Sequence, residues 1–367
     1  MPPNSNSLPA DKADLDTPTL LVDLDLLDEN IGRIARACQR HGVAWRPHVK
    51  SIKAPDIVRR LVAAGAAGIT CAKLSEAEVM LENGISNILI ANQVVGRTKI
   101  SRLAALLKTA DVVVAVDSAD NVQMLDDISM QAGVIAGVVI EVDTGMNRAG
   151  VLPGEDVVTL ARYISRRRAV RFRGLVTWES GAAAIPDRNE KRDAAFHRLE
   201  QLVSSRRACE AAGLACEIVS CGGTGTYQVS AKYPGVTEIQ AGGGIFGDLY
   251  YATKCGVDHE LALTVLTTVI SRPTATRIVC DAGKKAMSGE LALPQPVGFG
   301  NVRRLRLSAE HAIVELAEGQ DSPRVGDKLE FVVGNADLTV HLHNILWGIR
   351  GSRVEVGWPV LGRGCLS

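Results

Sequence analysis

VAWRPHVKS, at residues 43–51, opens on apolar, β-type residues and closes on charged and polar ones, as a buried strand does where it leaves a core. Seven more strand-like runs follow, separated by segments in which apolar residues recur three and four positions apart. The eight predicted strands cover residues 43–46, 67–71, 87–91, 111–116, 137–142, 172–177, 217–220 and 237–240. A doubly wound sheet would also alternate strands and helices, but eight near-equal units favour a TIM-type (β/α)₈ barrel.

The sequence changes character after residue 255, where short β-type runs are divided by glycine, proline and charged turns. Strands are predicted at residues 261–270, 276–281, 300–307, 311–316, 328–333 and 338–342. We therefore predict a flexible leader over residues 1–17, a barrel over 18–255 and a C-terminal all-β domain over 256–367. Residues 19–22 precede the first barrel helix and are a candidate strand of the β domain.

Composition narrows the class of function. Lys plus Arg and Asp plus Glu each number 41 among 367 residues, so the basic excess typical of nucleic-acid or membrane-surface binding is absent. The N-terminus is polar, and no apolar run is as long as a membrane span. None of the 8 cysteines has CxxC spacing, which indicates buried free thiols in a reducing compartment. A cytoplasmic enzyme with a small-molecule substrate is the expectation.

Lys50 and His48 follow the first predicted strand, at the end where barrel enzymes place their catalytic groups. A lysine desolvated there has a lowered pKa and becomes a nucleophile toward an aldehyde. The alternative is a lysine at the barrel rim held in a salt bridge.

Two glycine-rich loops follow the seventh and eighth predicted strands, where barrels often bind phosphate through backbone N–H groups. The alternative is two flexible turns. Arg148, after the fifth strand, is a candidate for holding an anionic oxygen, although most arginines are surface groups. The candidate loop residues are Gly222, Gly223, Thr224, Gly225, Thr226 and Tyr227, followed by Gly242 and Gly243.

A Schiff-base lysine, a phosphate site and an anion-holding arginine together describe a site for pyridoxal 5′-phosphate (PLP). The chain resembles the D-threonine aldolase and D-serine dehydratase family, whose barrel is similar to the N-terminal domain of alanine racemase. Six motifs carry the resemblance: TPTLLVDLDLLDENI (17–31), RPHVKSIK (46–53), EVDTGMNRAG (141–150), CGGTGTY (221–227), DAGKKAMS (281–288) and SAEHA (308–312).

The resemblance implies that Lys50 forms the Schiff base, that Arg148 bonds the 3-oxygen of the cofactor and that the two glycine loops hold its phosphate. It implies metal-assisted retro-aldol cleavage of a D-β-hydroxy-α-amino acid to glycine, or a substituted glycine, and an aldehyde. His48 and a metal-bound water are candidate bases. The resemblance also implies a homodimer in which the β domain of the partner covers the active site.

The chain departs from the family at its metal pair, usually His-x-Asp or His-x-Cys. The matching residues are Asn335 and Asp337. If the pair lies on a strand, residues two apart have their side chains on the same face, so both side chains would face one ion. Their oxygens favour Mn²⁺ or Mg²⁺ over Zn²⁺. The alternative is that the metal site has been lost.

A second departure is Trp178, where relatives have tyrosine in a Tyr-polar-Gly sequence. Trp178 is expected to line the cofactor ring without offering a phenol. Three other functions stay open: a D-β-hydroxy amino acid dehydratase, a metal-free racemase, and a PLP-binding protein without catalysis. The last class is generally single-domain, so the predicted β domain weighs against it.

Overall fold

The computed structural model describes residues 8–299, 301–319 and 321–367. The chain enters β1 (Thr19–Asp23) and α1 (Leu24–Arg40), and then alternates strands with helices. It divides into two compact units, each formed by three segments of the chain. One comprises Met1–Gly32, Ser51–Ile57 and Gly243–Arg363, and the other comprises Arg33–Lys50, Val58–Gly242 and Gly364–Ser367.

Eight parallel strands of the second unit form the predicted barrel sheet. They are β2 (Ala44–Trp45), β3 (Ile69–Cys71), β4 (Asn87–Gln93), β5 (Asp111–Val116), β6 (Ala136–Glu141), β7 (Val170–Val176), β8 (Ile218–Cys221) and β9 (Glu238–Ile239). Their order is β2-β9-β8-β7-β6-β5-β4-β3, and a parallel bridge between His48 and Thr70 joins the two ends. Each of the eight predicted strands overlaps an observed strand, so the prediction of the barrel is confirmed.

Helices follow the strands. Each helical segment has an apolar face, which is buried when the helix packs against the sheet. They are α2 (Pro55–Ala63), α3 (Leu74–Glu82), α4 (Arg97–Leu106), α5 (Ala119–Ala132), α6 (Glu155–Ser165), α7 (Ser180–Ala183), α8 (Arg188–Ala211), α9 (Tyr227–Ser230) and α10 (Leu249–Thr253). Among the described residues, no helix is long and apolar enough to cross a membrane. The eight cysteines all lie in the described part of the chain and form no disulfide there; seven are buried and Cys365 is partly exposed.

A buried ion pair fixes the chain where β2 meets β9. Arg46 donates to Glu238 at 2.8 Å and to Asn87 Oδ1 at 2.7 Å. A Cβ atom on Gly68 would lie 2.4 Å from Arg46 Nη1, so only glycine fits beside this arginine. Because breaking a buried ion pair costs about 3–5 kcal/mol, the pair holds the segment that leads to Lys50 in one register.

The first unit contains the C-terminal strands, namely β10 (Leu263–Thr274), β11 (Arg277–Cys280), β12 (Gln295–Val297), β13 (Val302–Leu307), β14 (Ala312–Leu316), β15 (Lys328–Val332), β16 (Ile345–Arg350) and β17 (Arg353–Pro359). β1 joins this sheet, antiparallel to β10 and parallel to β16. The predicted β-rich C-terminal domain is confirmed.

The expected leader has structure over its second half. Lys12 N–H donates to the Ser352 carbonyl at 2.8 Å, and Leu15 belongs to a core cluster with residues of β1, β10, β16 and β17. Residues 8–17 therefore pack on the sheet, where burial of Leu15 stabilises them. Residues 1–7 lie outside the described part of the chain.

The prediction of a strand at residues 338–342 was wrong. That segment consists of turns and a 3₁₀ helix, Val340–Leu342. Asn335 caps it, because its Oδ1 accepts the Leu338 N–H at 3.1 Å and its carbonyl accepts the Thr339 hydroxyl at 2.8 Å. Such local bonds compete with extended pairing. Gly300, the first residue of another predicted strand, lies outside the described residues.

Candidate active site

Lys50 lies just beyond β2, in a 3₁₀ turn at Val49–Ser51, and is half-buried. Its backbone N–H donates to His48 Nδ1 at 3.4 Å, and the His48 N–H donates to the Gln240 carbonyl at 2.9 Å. These bonds tie the lysine to the segment that follows β9. The carboxyl ends of two barrel strands thereby set the position of Lys50.

Trp178, two residues after the end of β7, lies next to three predicted site elements. Lys50 Nζ lies 5.6 Å from the centre of the indole ring, and Arg148 Cζ lies 5.9 Å from it. Both distances are within the range of cation–π attraction. A Cβ atom on Gly223 would lie 2.9 Å from Trp178 Nε1. The lysine, the arginine and the first glycine loop therefore border one aromatic ring, that of Trp178, a residue that is 37% exposed.

Arg148 contacts Glu141, which in turn is hydrogen-bonded to Gln93. Its Nη2 lies 3.4 Å from Glu141 Oε1, and Gln93 donates to Glu141 Oε2 at 2.5 Å. Asp143 accepts backbone N–H bonds from residues 145–147. Burial alone would raise the pKa of Asp143, but these backbone bonds outweigh it and lower the pKa. The carboxylate thus stays charged and holds the loop that carries Arg148.

The glycine positions of the first glycine loop have no room for a side chain. A Cβ atom on Gly222, which has φ +77°, would lie 2.7 Å from Ile239 Cδ1. A Cβ atom on Gly225 would lie 2.9 Å from the Ala183 Cβ. Such a loop brings its backbone close to whatever it binds. Thr224, Thr226 and Tyr227 are buried alongside it.

Glu179 is a site residue that the sequence analysis missed. Its buried carboxylate accepts the Thr226 hydroxyl at 2.7 Å. A hydroxyl has one hydrogen to donate, so the Thr226 hydrogen points to Glu179 rather than to a ligand. The only sequence signal was its place directly after Trp178, where the chain departs from the family.

Gly242 and Gly243 begin the second glycine loop and fall in different units. A Cβ atom on Gly242 would lie 2.0 Å from the His48 carbonyl oxygen. In the other unit, a Cβ atom on Gly243 would lie 2.8 Å from Ser51 Oγ and 3.3 Å from Asp337 Oδ1. Gly242 is therefore in close contact with the predicted site residue His48. Gly243 is in close contact with Asp337, another predicted site residue, and with Ser51, the neighbour of Lys50.

We expect Gly242→Ala to lower the free energy of unfolding by about 1–3 kcal/mol, because the new Cβ must displace backbone rather than a flexible side chain. Urea denaturation, read from the midpoint at constant slope, measures the change. Gly137→Ala is the matched control, since its Cβ would meet its nearest neighbour, Arg173 Cγ, at 3.4 Å. Equal effects in the two variants would show that the contact with His48 is not tight.

The candidate metal residues lie on a turn. Asp248 Oδ2 accepts the Ala336 N–H at 2.9 Å and lies 3.3 Å from Asn335 Nδ2. Burial raises the pKa of Asp248 to about 7; backbone bonds oppose the shift and the charge of Asp337 adds to it. Within the described residues, no group of three or more His, Cys, Asp or Glu side chains is arranged to hold a metal. The prediction that Asn335 and Asp337 lie on a strand was wrong. The turn still places several oxygen donors close together.

The family resemblance implies two bound groups, PLP and a divalent metal ion, and the residues of the site suit PLP better than the ion. Lys50 borders an aromatic ring beside a glycine loop, which suits an aldehyde-bearing, phosphorylated cofactor. Asn335 and Asp337 offer an amide oxygen and a carboxylate, donors that suit a hard cation. Asn335 also uses its oxygen to cap the following turn, so this donor set would bind an ion weakly.

Comparison with known proteins agrees with these features. The alanine racemase N-terminal domain family matches residues 22–250, and the putative serine dehydratase domain family matches residues 262–349. A 3-hydroxy-D-aspartate aldolase of Paracoccus denitrificans (strain Pd 1222) is 35% identical, with 96% of this chain and 94% of the relative covered. A D-threo-3-hydroxyaspartate dehydratase of Delftia sp. (strain HT23) is 33% identical, covering 83% of this chain and 85% of the relative.

The crystal structure of D-threonine aldolase from Filomicrobium marinum superposes with a TM-score of 0.95 at 34% identity, covering 98% of this chain and 99% of that one. Both domains and the fold therefore agree. The chain belongs to the D-threonine aldolase and D-serine dehydratase family of PLP-dependent enzymes, with a barrel of the alanine racemase type.

Proposed function

We propose that this protein is a PLP-dependent carbon–carbon lyase that cleaves a D-β-hydroxy-α-amino acid into glycine, or a substituted glycine, and an aldehyde. The observation that carries the proposal is the group of Lys50, Arg148 and the Gly223 loop around the Trp178 ring. The aldolases among its relatives support the choice of reaction.

Lys50 would bind the cofactor covalently through Nζ, and the two glycine loops would hold its phosphate. The contributing loop residues would be Gly222, Gly223, Thr224, Gly225, Tyr227, Gly242 and Gly243. Thr226 would contribute through the conformation of the loop, because its hydroxyl donates to Glu179. Arg148 would bond the 3-oxygen, supported by Glu141 behind it. Trp178 would cover one face of the ring. When bound, PLP accepts the electron pair left as the Cα–Cβ bond breaks.

Cleavage also requires removal of the proton from the substrate's β-hydroxyl. His48 is one candidate base. Its Nδ1 accepts the Lys50 N–H at 3.4 Å, a long hydrogen bond that the ring would exchange for the substrate proton. Asp337 and Asn335 would hold Mn²⁺ or Mg²⁺ in preference to Zn²⁺, and such an ion lowers the pKa of a hydroxyl that it binds.

Product analysis tests the reaction. With D-threonine or D-3-hydroxyaspartate, in the presence of Mn²⁺, we expect glycine and an aldehyde in equal amounts. L-threonine is the stereochemical control and should give neither product. Release of ammonia, with 2-oxobutanoate from D-threonine or oxaloacetate from D-3-hydroxyaspartate, would contradict the aldolase proposal.

The dehydratase is the second candidate, favoured by the 33% identity to the Delftia enzyme. In that reaction Lys50 would take the α-proton, and the β-hydroxyl would leave. Zinc-type ligands suit that loss better, so Asn335 weighs against it. A metal-free racemase is the third candidate. It needs two opposed bases and would return the L amino acid without cleavage.

We also propose a homodimer in the cytoplasm, with the partner's β domain covering the active site. Exclusion of water protects a carbanion-forming site from premature protonation, which supports such a cover.

A further inference from the structure

Glu179 lies between β7 and α7 and is fully buried, with 0% exposure. Its neighbour Trp178 faces Lys50 and Arg148, whereas Glu179 faces the first glycine loop. A buried carboxylate needs hydrogen bonds to offset its lost hydration. The donors that provide them therefore reveal which part of the fold depends on this charge.

Among the described residues, three donors reach the Glu179 carboxylate, and all come from the first glycine loop or the helix after it. Gly222 N–H donates to Oε2 at 3.2 Å, and the Thr226 hydroxyl donates to Oε1 at 2.7 Å. The Ser230 hydroxyl also donates to Oε1. One donor is a backbone amide and two are hydroxyls, so both carboxylate oxygens act as acceptors. Hydrogen bonds to a carboxylate are stronger than those between neutral groups.

Thr226 passes this constraint on to the glycine loop. While its hydroxyl donates to Glu179, the same oxygen accepts the Gly223 N–H at 3.2 Å. The Gly223 carbonyl in turn accepts the N–H groups of Thr226 and Tyr227 at 3.1 and 2.9 Å. Glu179 therefore orients peptide groups at both Gly222 and Gly223. Trp178 lies on another side of Gly223, so two consecutive residues fix the loop.

We propose that Glu179 is a positioning residue that sets the conformation of the 222–226 loop and thereby the affinity for the cofactor's phosphate group. This inference rests on the proposed PLP function, because it assigns Glu179 to the phosphate end of that cofactor. The proposal assigns two separate contributions to cofactor binding. Lys50 would bind the aldehyde, and the loop oriented by Glu179 would bind the phosphate.

The carboxylate is required because both of its oxygens accept. A glutamine of the same shape keeps one acceptor and replaces the other by an NH₂ donor. That donor would face either the Gly222 N–H or the two hydroxyls, so at least one bond must be lost or reversed. Mispairing a buried polar group carries a free-energy cost that corresponds to about tenfold or more in an equilibrium constant.

The test compares PLP with pyridoxal, which has the same aldehyde and ring but no phosphate. The full-length chain, freed of cofactor, is titrated with each compound, and binding is followed by cofactor absorbance. For Glu179→Gln we expect the Kd of PLP to rise about tenfold or more, while the Kd of pyridoxal stays within about twofold. Glu190→Gln, at an exposed position of α8, is the matched control and should change neither.

Ser230→Ala provides a second variant outside the glycine loop. It removes one donor to Glu179 and should lower the preference for PLP over pyridoxal in the same direction, by about threefold or more. If Glu179→Gln does not fold, this variant alone decides the question. Equal weakening of both compounds, or an unchanged preference, would overturn the role of Glu179.

The wild-type titration separates this inference from the proposed function. If the wild-type chain binds PLP on Lys50 but the variants keep its preference for PLP, only the role of Glu179 fails. If the wild-type chain does not bind PLP, the proposed function itself fails, and the positioning role fails with it.

Discussion

Lys50→Ala should abolish cofactor-dependent cleavage, lowering turnover by about 10³-fold or more, the scale on which loss of a catalytic nucleophile or acid–base group acts. The reason is that Lys50 Nζ, 5.6 Å from the Trp178 ring, is the proposed attachment point for the aldehyde. Steady-state rates with a D-β-hydroxy amino acid measure the loss, and the absorbance of the purified protein reports whether the covalently bound cofactor is missing.

Lys108→Ala, at an exposed position of the barrel unit, is the control for loss of a lysine and should retain full activity. Pyridoxal phosphate held by the glycine loops alone can still associate with Lys50→Ala without the covalent bond. A Lys50→Ala protein that keeps both the absorbance of a lysine-bound cofactor and normal turnover would contradict the assignment of Lys50.

Removal of the metal should have the second large effect. Chelator treatment and Asp337→Ala should each lower cleavage by about 10²-fold or more, because Lewis-acid stabilisation by a bound ion is worth several kcal/mol. Mn²⁺ or Mg²⁺ should restore the chelated enzyme better than Zn²⁺, since the candidate donors are an amide and a carboxylate. Cofactor absorbance should persist in Asp337→Ala, because in the proposed site Lys50 and the glycine loops hold PLP independently of the ion.

Two further variants sharpen this test. Asn335→His should tighten metal binding and shift the preference toward softer ions, because imidazole binds transition metals better than an amide does. Asp321→Ala, at an exposed position of the same unit, is the control and should leave the metal response unchanged. If neither chelator nor Asp337→Ala affects cleavage, the metal proposal fails and a metal-free reaction takes its place.

The barrel was predictable because its signal is local. Strands such as β5 (Asp111–Val116) and β6 (Ala136–Glu141) are continuous apolar runs, and the helices between them have apolar residues three and four apart. β16 (Ile345–Arg350) and β17 (Arg353–Pro359) were missed, since glycines and charged residues interrupt their β-type pattern. The turn after Asn335 was predicted as a strand because its side-chain bonds cannot be read from periodicity.

The site was predictable where a residue type carries its own chemistry. Lys50, Arg148 and the glycines stand at strand ends, and the structure brings Lys50, Arg148 and Gly223 around one ring. Glu179 was not predictable in this way. Its partners lie 43 to 51 residues further along the chain, and only the fold brings Gly222 and Ser230 to its carboxylate.

Reduction of the holoenzyme with borohydride tests the central claim most directly, because it fixes the cofactor on whichever lysine holds it. Digestion followed by mass mapping then identifies the modified peptide. The account predicts the label on Lys50, in the sequence RPHVKSIK at residues 46–53. A label on Lys53, Lys284 or Lys285 instead would contradict it.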